Sequence, residues 1–291
     1  MSTPTPAPGA PLRVMTWNLW WRFGDWRARR EAILAVLAQE RPDVVGLQEV
    51  WADEGENLAQ WLGERLGMHV AWSPSPAPQR WRRRLAWNGE DPAVVDGLQF
   101  GNAVLSRHPL LDQEVRELPG GGDEDEGRTA LKVLVDAPRR PLPFTTTHLN
   151  SSPAESAVRV EQVRALVPFV VGGHRRGEHY PPVLTGDFNA VAESDELRLA
   201  GGYLTPGPVP GVVLVDSWRF AAPDDPGFTW DRRNPFVARV HQPSARIDHV
   251  LVGLPPFTGE GSVRDVRLVA TEPVGGVWAS DHAAVVVDLE P

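Results

Sequence analysis

Residues Pro182–Asn189 read PVLTGDFN: Val183 and Leu184 are apolar strand formers, Gly186 permits a sharp change of direction, and Asp187 and Asn189 follow. A strand that finishes in Gly, Asp and Asn delivers two polar side chains to its exit. Their i, i+2 spacing turns both to the same side of the chain, where a metal or a water can be held. On its own GDFN is ordinary sequence for a turn closed by an Asx hydrogen bond. Its weight comes from the rest of the chain, because Asn18, Glu49, His148, Asp248, Asp281 and His282 also stand at the ends of apolar runs.

Outward from this stretch, strand and helix patterns alternate. Leu12–Leu19 ends in Thr16-Trp17-Asn18-Leu19 and predicts a first strand. Trp26–Gln39 carries Ile33, Val36 and Leu37 at helical spacing and stops at Arg41-Pro42, which predicts an amphipathic helix. Asp43–Val50, DVVGLQEV, predicts a buried strand that brings Glu49 to a rim, and a covering helix is expected from about Glu54 to Leu66. Gly101–Arg107 predicts another strand. Thr129–Asp136 and Pro141–Leu149 predict a hairpin pair whose second strand ends in TTTHLN and so carries His148. Ser152-Pro153-Ala154-Glu155 reads as a capping box before a helix in which Pro168 is expected to produce a kink. Ser194–Leu197 should open a short helix. Arg246–Val252 predicts a strand with Asp248 near its start, and Val263–Ala270 a further element. The run Ala283–Val287 is entered through Trp278-Ala279-Ser280-Asp281-His282. No composition break interrupts this alternation, so one domain is expected over 12–291, behind a disordered tail at 1–11.

Two stretches are irregular. Ser73–Leu98 mixes SPSPAP, QRWRRRLAW and NGEDP and reads as a long loop; its Arg82, Arg83 and Arg84, set between Trp81 and Trp87, suit a phosphate-bearing ligand with a flat group or else a solvated face. PGGGDEDEG at 119–127 reads as a solvent-exposed acidic turn.

With 291 residues, 42% hydrophobic and 23% charged, the chain has a sizeable core available. The absence of cysteine excludes disulfides, thiolate nucleophiles and thiolate metal sites. Any metal must then be held by oxygen or imidazole, and oxygen-rich ligation favours magnesium, manganese or calcium. A net charge of −9 argues against tight non-specific binding to nucleic acid. It leaves a nuclease open, since a carboxylate-rich metal site itself adds negative charge that a bound ion offsets. No apolar run approaches the roughly 18 residues of a spanning helix, and MSTPTPAPGAP lacks the basic head and apolar core of an export signal, so a cytoplasmic protein without a membrane anchor is expected.

TWNL, LQEV, GNAVLSR, TTHL, GDFN, RIDHVL and SDH occur here in the order found in the endonuclease/exonuclease/phosphatase superfamily, which this chain resembles from Leu12 to its C-terminus. The resemblance implies a four-layer α/β/β/α sandwich of two packed mixed sheets flanked by helices, with the site at one end. It implies a magnesium-dependent phosphoesterase in which Glu49 is the main metal ligand, aided by Asn18 and Asp281. Asp187 with Asn189 would orient and deprotonate the attacking water or help to hold a second cation. His282 would contact the scissile phosphate with its tautomer fixed by Asp248, and His148 would donate to a non-bridging or leaving oxygen. Asn102 in GNAVLSR and Arg128 in EGRTAL resemble substrate-contacting residues of some members. Gln99 and Phe100 stand where deoxyribonuclease-type members place the carboxylate partner of the first histidine, so the partner of His148 is left open. Members that read abasic sites carry tyrosine where this chain has His148. A phosphodiesterase acting on nucleic acid or a nucleotide-like diester is the leading expectation; a phospholipid or inositol-phosphate phosphoesterase, and an inactive binding scaffold, are the alternatives.

Overall fold

The chain winds through a strand–helix–strand crossover twice, once in each half, and these two units organise the rest. In chain order the first half comprises β1 (Leu12–Asn18), α1 (Trp26–Glu40), β2 (Val44–Ala52), α2 (Leu58–Leu66), β3 (His69–Pro76), α3 (Arg80–Trp87) and β4 (Gln99–Ser106). The second comprises β5 (Leu110–Glu117), β6 (Thr129–Val135), β7 (Leu142–His148), α4 (Ser156–Val171), β8 (Val183–Asp187), α5 (Asp195–Gly201), β9 (Leu214–Asp216), α6 (Pro235–Ala238) and β10 (Asp248–Gly253). Then β11 (Val263–Val269) and β12 (Ala284–Leu289) return to the first sheet. This computed structural model describes residues 9–76, 80–87, 89–120 and 126–291. Most of the expected tail, residues 1–8, and residues 121–125 of the acidic turn lie outside them.

The described strands form two six-stranded sheets, ordered β11-β12-β1-β2-β4-β3 and β5-β6-β7-β8-β10-β9. Each is antiparallel except at its crossover pair, β1 with β2 and β7 with β8. Three apolar layers hold the stack together. Val14, Val44, Phe144, Val183 and Val285 fill the space between the sheets. Ile33, Leu37 and Leu62 pack helices on the outer face of the first sheet. Val163, Leu166 and Val170 do so on the second. The result is the four-layer sandwich.

Local chemistry sets the element bounds. The Asp25 carboxylate accepts from the Ala28 N–H and starts α1, while Arg41 ends it with a left-handed φ of 52°. Helix α2 begins later than the sequence suggests. Asp53 is spent capping a turn at Gly55 and Glu56, and Asn57 caps the helix instead, accepting from Ala59 and Gln60. The capping box before α4 does not form, because Glu155 is drawn to Asn150 Nδ2 at 3.0 Å and α4 starts at Ser156 without a side-chain cap.

The stretch read as a long loop is largely ordered into elements. β3 pairs only with β4, so its prolines sit on a sheet edge, where a missing N–H costs little. Trp81 and Leu85, four residues apart, bury one face of α3. Strand β5 was not visible in the sequence: it is an edge strand with nearly every side chain exposed, so it lacks the alternation that marks a half-buried strand.

Candidate active site

Both crossover pairs end on the same rim. Asn18 is the last residue of β1, His148 of β7 and Asp187 of β8, while Asp248 opens β10. His148 pairs in register with Asp187, and Asp187 with Asp248, so three strands present polar residues at one level. Two glycines allow the close approach this requires. A Cβ on Gly46 of β2 would lie 2.6 Å from Thr185 Oγ1 and 2.7 Å from Thr146 Oγ1 of the facing sheet, and one on Gly186 would lie 2.1 Å from the Thr147 carbonyl.

Glu49 reaches the rim on a bulge. The β2–β4 register shifts between Leu47 and Val50, so that Gln48 and Glu49 together face Asn102, and Glu49 takes a φ of 50°. A left-handed non-glycine residue costs about 1–3 kcal/mol and persists where its surroundings over-determine it. Here Gln48 supplies such a constraint, donating to Thr16 Oγ1 and to Thr146 Oγ1 of the other sheet.

The polar groups form one network. His282 Nδ1 donates to Asp248 Oδ2 at 2.8 Å, which leaves Nε2 facing Asp187 Oδ2 at 3.8 Å and Asp281 Oδ1 at 3.9 Å. Asn18 Nδ2 donates to Asp187 Oδ2 at 2.9 Å, and the Asn189 N–H donates to Asp187 Oδ1 at 2.8 Å. His148 Nε2 lies 3.4 Å from Asp187 Oδ2, so the GDFN aspartate is a carboxylate within reach of this histidine. Ser280 ties the segments together, donating to the Asn18 carbonyl and accepting from the His282 N–H.

Burial and mutual charge tune these groups. Burial alone lowers the affinity of His282 for its proton, but the charges of Asp248 and Asp281 and the hydrogen bond to Asp248 outweigh it and raise its pKa to about 10. His282 is an imidazolium at neutral pH. Burial, reinforced by the charge of Asp248, pushes Asp187 up to about 7 against the opposing effect of His282. Burial also raises Glu49; Arg84 opposes that rise and Asp281 adds to it.

A cleft of about 720 Å³ opens over the network. Glu49, His148, Asp187, Asn189, Asp281 and His282 form its floor. Arg83, Arg84 and Trp87 of α3 form one wall, and Trp230, Phe236 and Arg239 another. Asn18 and Asp248 lie just behind the floor, through their bonds to Asp187 and His282. Three residues marked in the sequence as substrate contacts do not line the cleft. Arg82 pairs with Asp96, Asn102 Nδ2 donates to the Thr129 carbonyl at 2.9 Å, and Arg128 is buried against Glu126.

Other contributors gave no sequence signal. Glu126, in the stretch read as an exposed turn, is buried and receives Arg128 together with the N–H and hydroxyl of Ser151 on the cleft rim. His249 Nε2 donates to the Ala190 carbonyl at 3.0 Å while Nδ1 accepts from Arg246, itself paired with Asp216, so this group braces the turn that carries Asn189. Arg29 is 2% exposed and donates to the carbonyls of Leu19, Trp20, Trp21, Phe23 and Ala279. It thereby fixes both the left-handed turn after Asn18 and the approach to Asp281. Arg29→Met leaves those carbonyls unsatisfied and should cost about 3 kcal/mol or more in denaturant unfolding, with Arg29→Lys recovering part of the loss. A methionine variant as stable as wild type would contradict this role.

The fold and its rim of acid, amide and imidazole define a hydrolase of phosphate esters. The chain belongs to the endonuclease/exonuclease/phosphatase family, whose model matches residues 15–282. Among solved structures it is similar to D. rerio TDP2 complexed with single-strand DNA product, at 20% identity over 96% of this chain and 99% of that one, with a TM-score of 0.70. It is also similar to the human Nocturnin catalytic domain with bound sulfate, at 20% identity over 96% and 94% of the two chains and a TM-score of 0.69. An endonuclease/exonuclease/phosphatase from Beutenbergia cavernae is 25% identical over 97% of this chain and 72% of that one, with a TM-score of 0.69.

Proposed function

We propose that this chain is a cytoplasmic, divalent-metal-dependent phosphodiesterase acting on nucleic acid or a nucleotide-like diester, with residues 12–291 working as one catalytic domain. The observation that carries the reading is the meeting of the His282–Asp248 pair with Glu49 and Asp281 on one cleft floor. Glu49 Oε2 and Asp281 Oδ1 are buried with no hydrogen-bond partner among the described residues. Partnerless buried carboxylate oxygens in a cysteine-free site suit a hard cation, so magnesium is the proposed ion, with manganese or calcium as substitutes. Glu49 is then the main ligand, with Asp281 assisting, while Asn18, whose Oδ1 accepts from the Trp20 N–H and whose Nδ2 donates to Asp187, supports the site from behind the floor. Ligand atoms of Asp187, Asp248 and His282 also lie within 4.8 Å of one another. His282 Nδ1 and Asp248 are already bonded to each other, however, and that group is better suited to proton transfer.

When bound, the ion supplies Lewis-acid stabilisation of charge on the phosphate oxygens. Asp187, with its raised proton affinity, takes a proton from the attacking water, which Asn189 helps to orient. As the water oxygen bonds to phosphorus, the ester bond to the leaving oxygen breaks. The Nε2–H of His282 stabilises a non-bridging oxygen, and Asp248 holds the ring in that orientation. His148, whose Nε2 lies on the attacking side 3.4 Å from Asp187, donates to a non-bridging oxygen, and the leaving oxygen takes its proton from solvent.

Substrate preference is read from the walls. Arginines beside Trp87, which is 69% exposed, offer a phosphate grip next to a stacking surface. TDP2, a neighbour in fold, is described with single-strand DNA product. Among the described residues no helix is long and apolar enough to cross a membrane. A magnesium-supplemented panel of single-strand oligonucleotide, dinucleotide, phospholipid and inositol polyphosphate, with His282→Ala as control, tests the reading. Hydrolysis of the first two by wild type alone is expected. Turnover of lipid or inositol phosphate only would replace the substrate class, and equal rates in wild type and control would mean an inactive scaffold.

A further inference from the structure

Arg84 differs from Arg82 and Arg128, two other arginines near the site. Arg82 is committed to Asp96 and Arg128 to Glu126, each outside the cleft lining. Arg84 has no private carboxylate. Its Nη2 lies 3.5 Å from Asp281 Oδ2, and it lines the same cleft as the Glu49 carboxylate. Its guanidinium lies 4.3 Å from the centroid of the buried Phe23 ring, so its remaining contact is with an uncharged face. A separation of 3.5 Å is the outer edge of a hydrogen bond and far from a bidentate clamp. The two partners also differ in freedom: the Arg84 side chain is 36% exposed and that of Asp281 8%, while Glu49 is buried on its bulge. The acids are therefore fixed and the cation is the group able to move.

We propose that Arg84 is a resident counter-ion of the Glu49 and Asp281 carboxylates, displaced when a divalent cation binds there and thereby released to grip a phosphate of the substrate. This rests on the reading of those two acids as metal ligands. Two cations competing for the same oxygens oppose each other, so Arg84 weakens metal binding while the cleft is empty of substrate. A phosphate in the cleft gives Arg84 another partner and removes that opposition. Metal and phosphate binding are then positively coupled, each tightening the other by the same factor.

Isothermal titration of the full chain with Mn²⁺, with and without inorganic phosphate, tests the device without requiring turnover. Arg84→Ala should bind Mn²⁺ about 3-fold or more tightly than wild type, the scale of removing one partly exposed ion pair, while Arg84→Lys stays close to wild type. Phosphate should tighten Mn²⁺ binding in wild type and leave Arg84→Ala nearly unchanged. Equal or weaker metal binding by Arg84→Ala, or the same phosphate effect in both proteins, would overturn the proposal. Glu49→Gln separates the two levels. If it leaves Mn²⁺ binding intact, the metal-site reading itself fails; if it abolishes binding and Arg84→Ala still does not tighten it, only the counter-ion role fails.

Discussion

Replacing His282 with alanine should lower turnover of a soluble chromogenic phosphodiester by about 100-fold or more, the scale of losing a charge-stabilising or acid–base group. His282 is buried, its Nδ1 is held by Asp248 at 2.8 Å, and its Nε2 faces the space between Asp187 and Asp281, where a phosphate would sit over the cleft floor. The surrounding acids keep the ring protonated at neutral pH, so the alanine variant loses a cationic donor and not merely bulk. Asp248→Asn keeps a polar atom beside Nδ1 but removes the charge that favours the imidazolium, and it should reproduce part of the loss. An Asp248→Asn enzyme with wild-type turnover would mean that the pair is structural.

Asp187→Asn should also cost about 100-fold or more in turnover, because an amide cannot accept a proton from water. Its signature is a separation of activity from stability. Asp187 is buried beside Asp248, so the neutral isostere removes one of two like charges while retaining a side-chain oxygen for the Asn189 N–H. The relieved like charge offsets the loss of the acceptor for the Asn18 Nδ2–H, so the melting temperature should stay close to wild type as activity collapses. A parallel fall in both would assign Asp187 to the fold and leave the water without a base.

Much of this was legible in the chain because strands advertise themselves by apolar runs, and the polar residue closing each run is the residue that reaches the rim. Asn18, His148, Asp187 and Asp248 stand at strand ends as that pattern placed them, Glu49 reaches the rim instead on a bulge within β2, and the sandwich was what the family resemblance carried by the order of motifs implied. What the pattern could not convey was long-range pairing. Nothing local distinguishes Arg29, one of several arginines on α1, as the donor to carbonyls 250 positions away in sequence at Ala279. Nor does an acidic, glycine-rich stretch announce that Glu126 is buried, since besides Arg128 close by it is held by the N–H and hydroxyl of Ser151, 25 positions away in sequence. Helix α3 was hidden for a different reason. Prolines before it and a cluster of arginines within it read as loop, whereas the sheet edge accepts the prolines and two buried residues, Trp81 and Leu85, suffice to dock a short helix.

Catalysis through a hard cation held by Glu49 is the step on which the proposed function depends. The most direct test is hydrolysis of one chromogenic diester by metal-stripped protein, first with chelator in excess and then across a magnesium titration, for wild type and Glu49→Gln. The account predicts no turnover in chelator, saturable recovery with magnesium in wild type, and recovery displaced to much higher magnesium in Glu49→Gln at unchanged unfolding stability. Full activity of the stripped wild-type protein in chelator would contradict it.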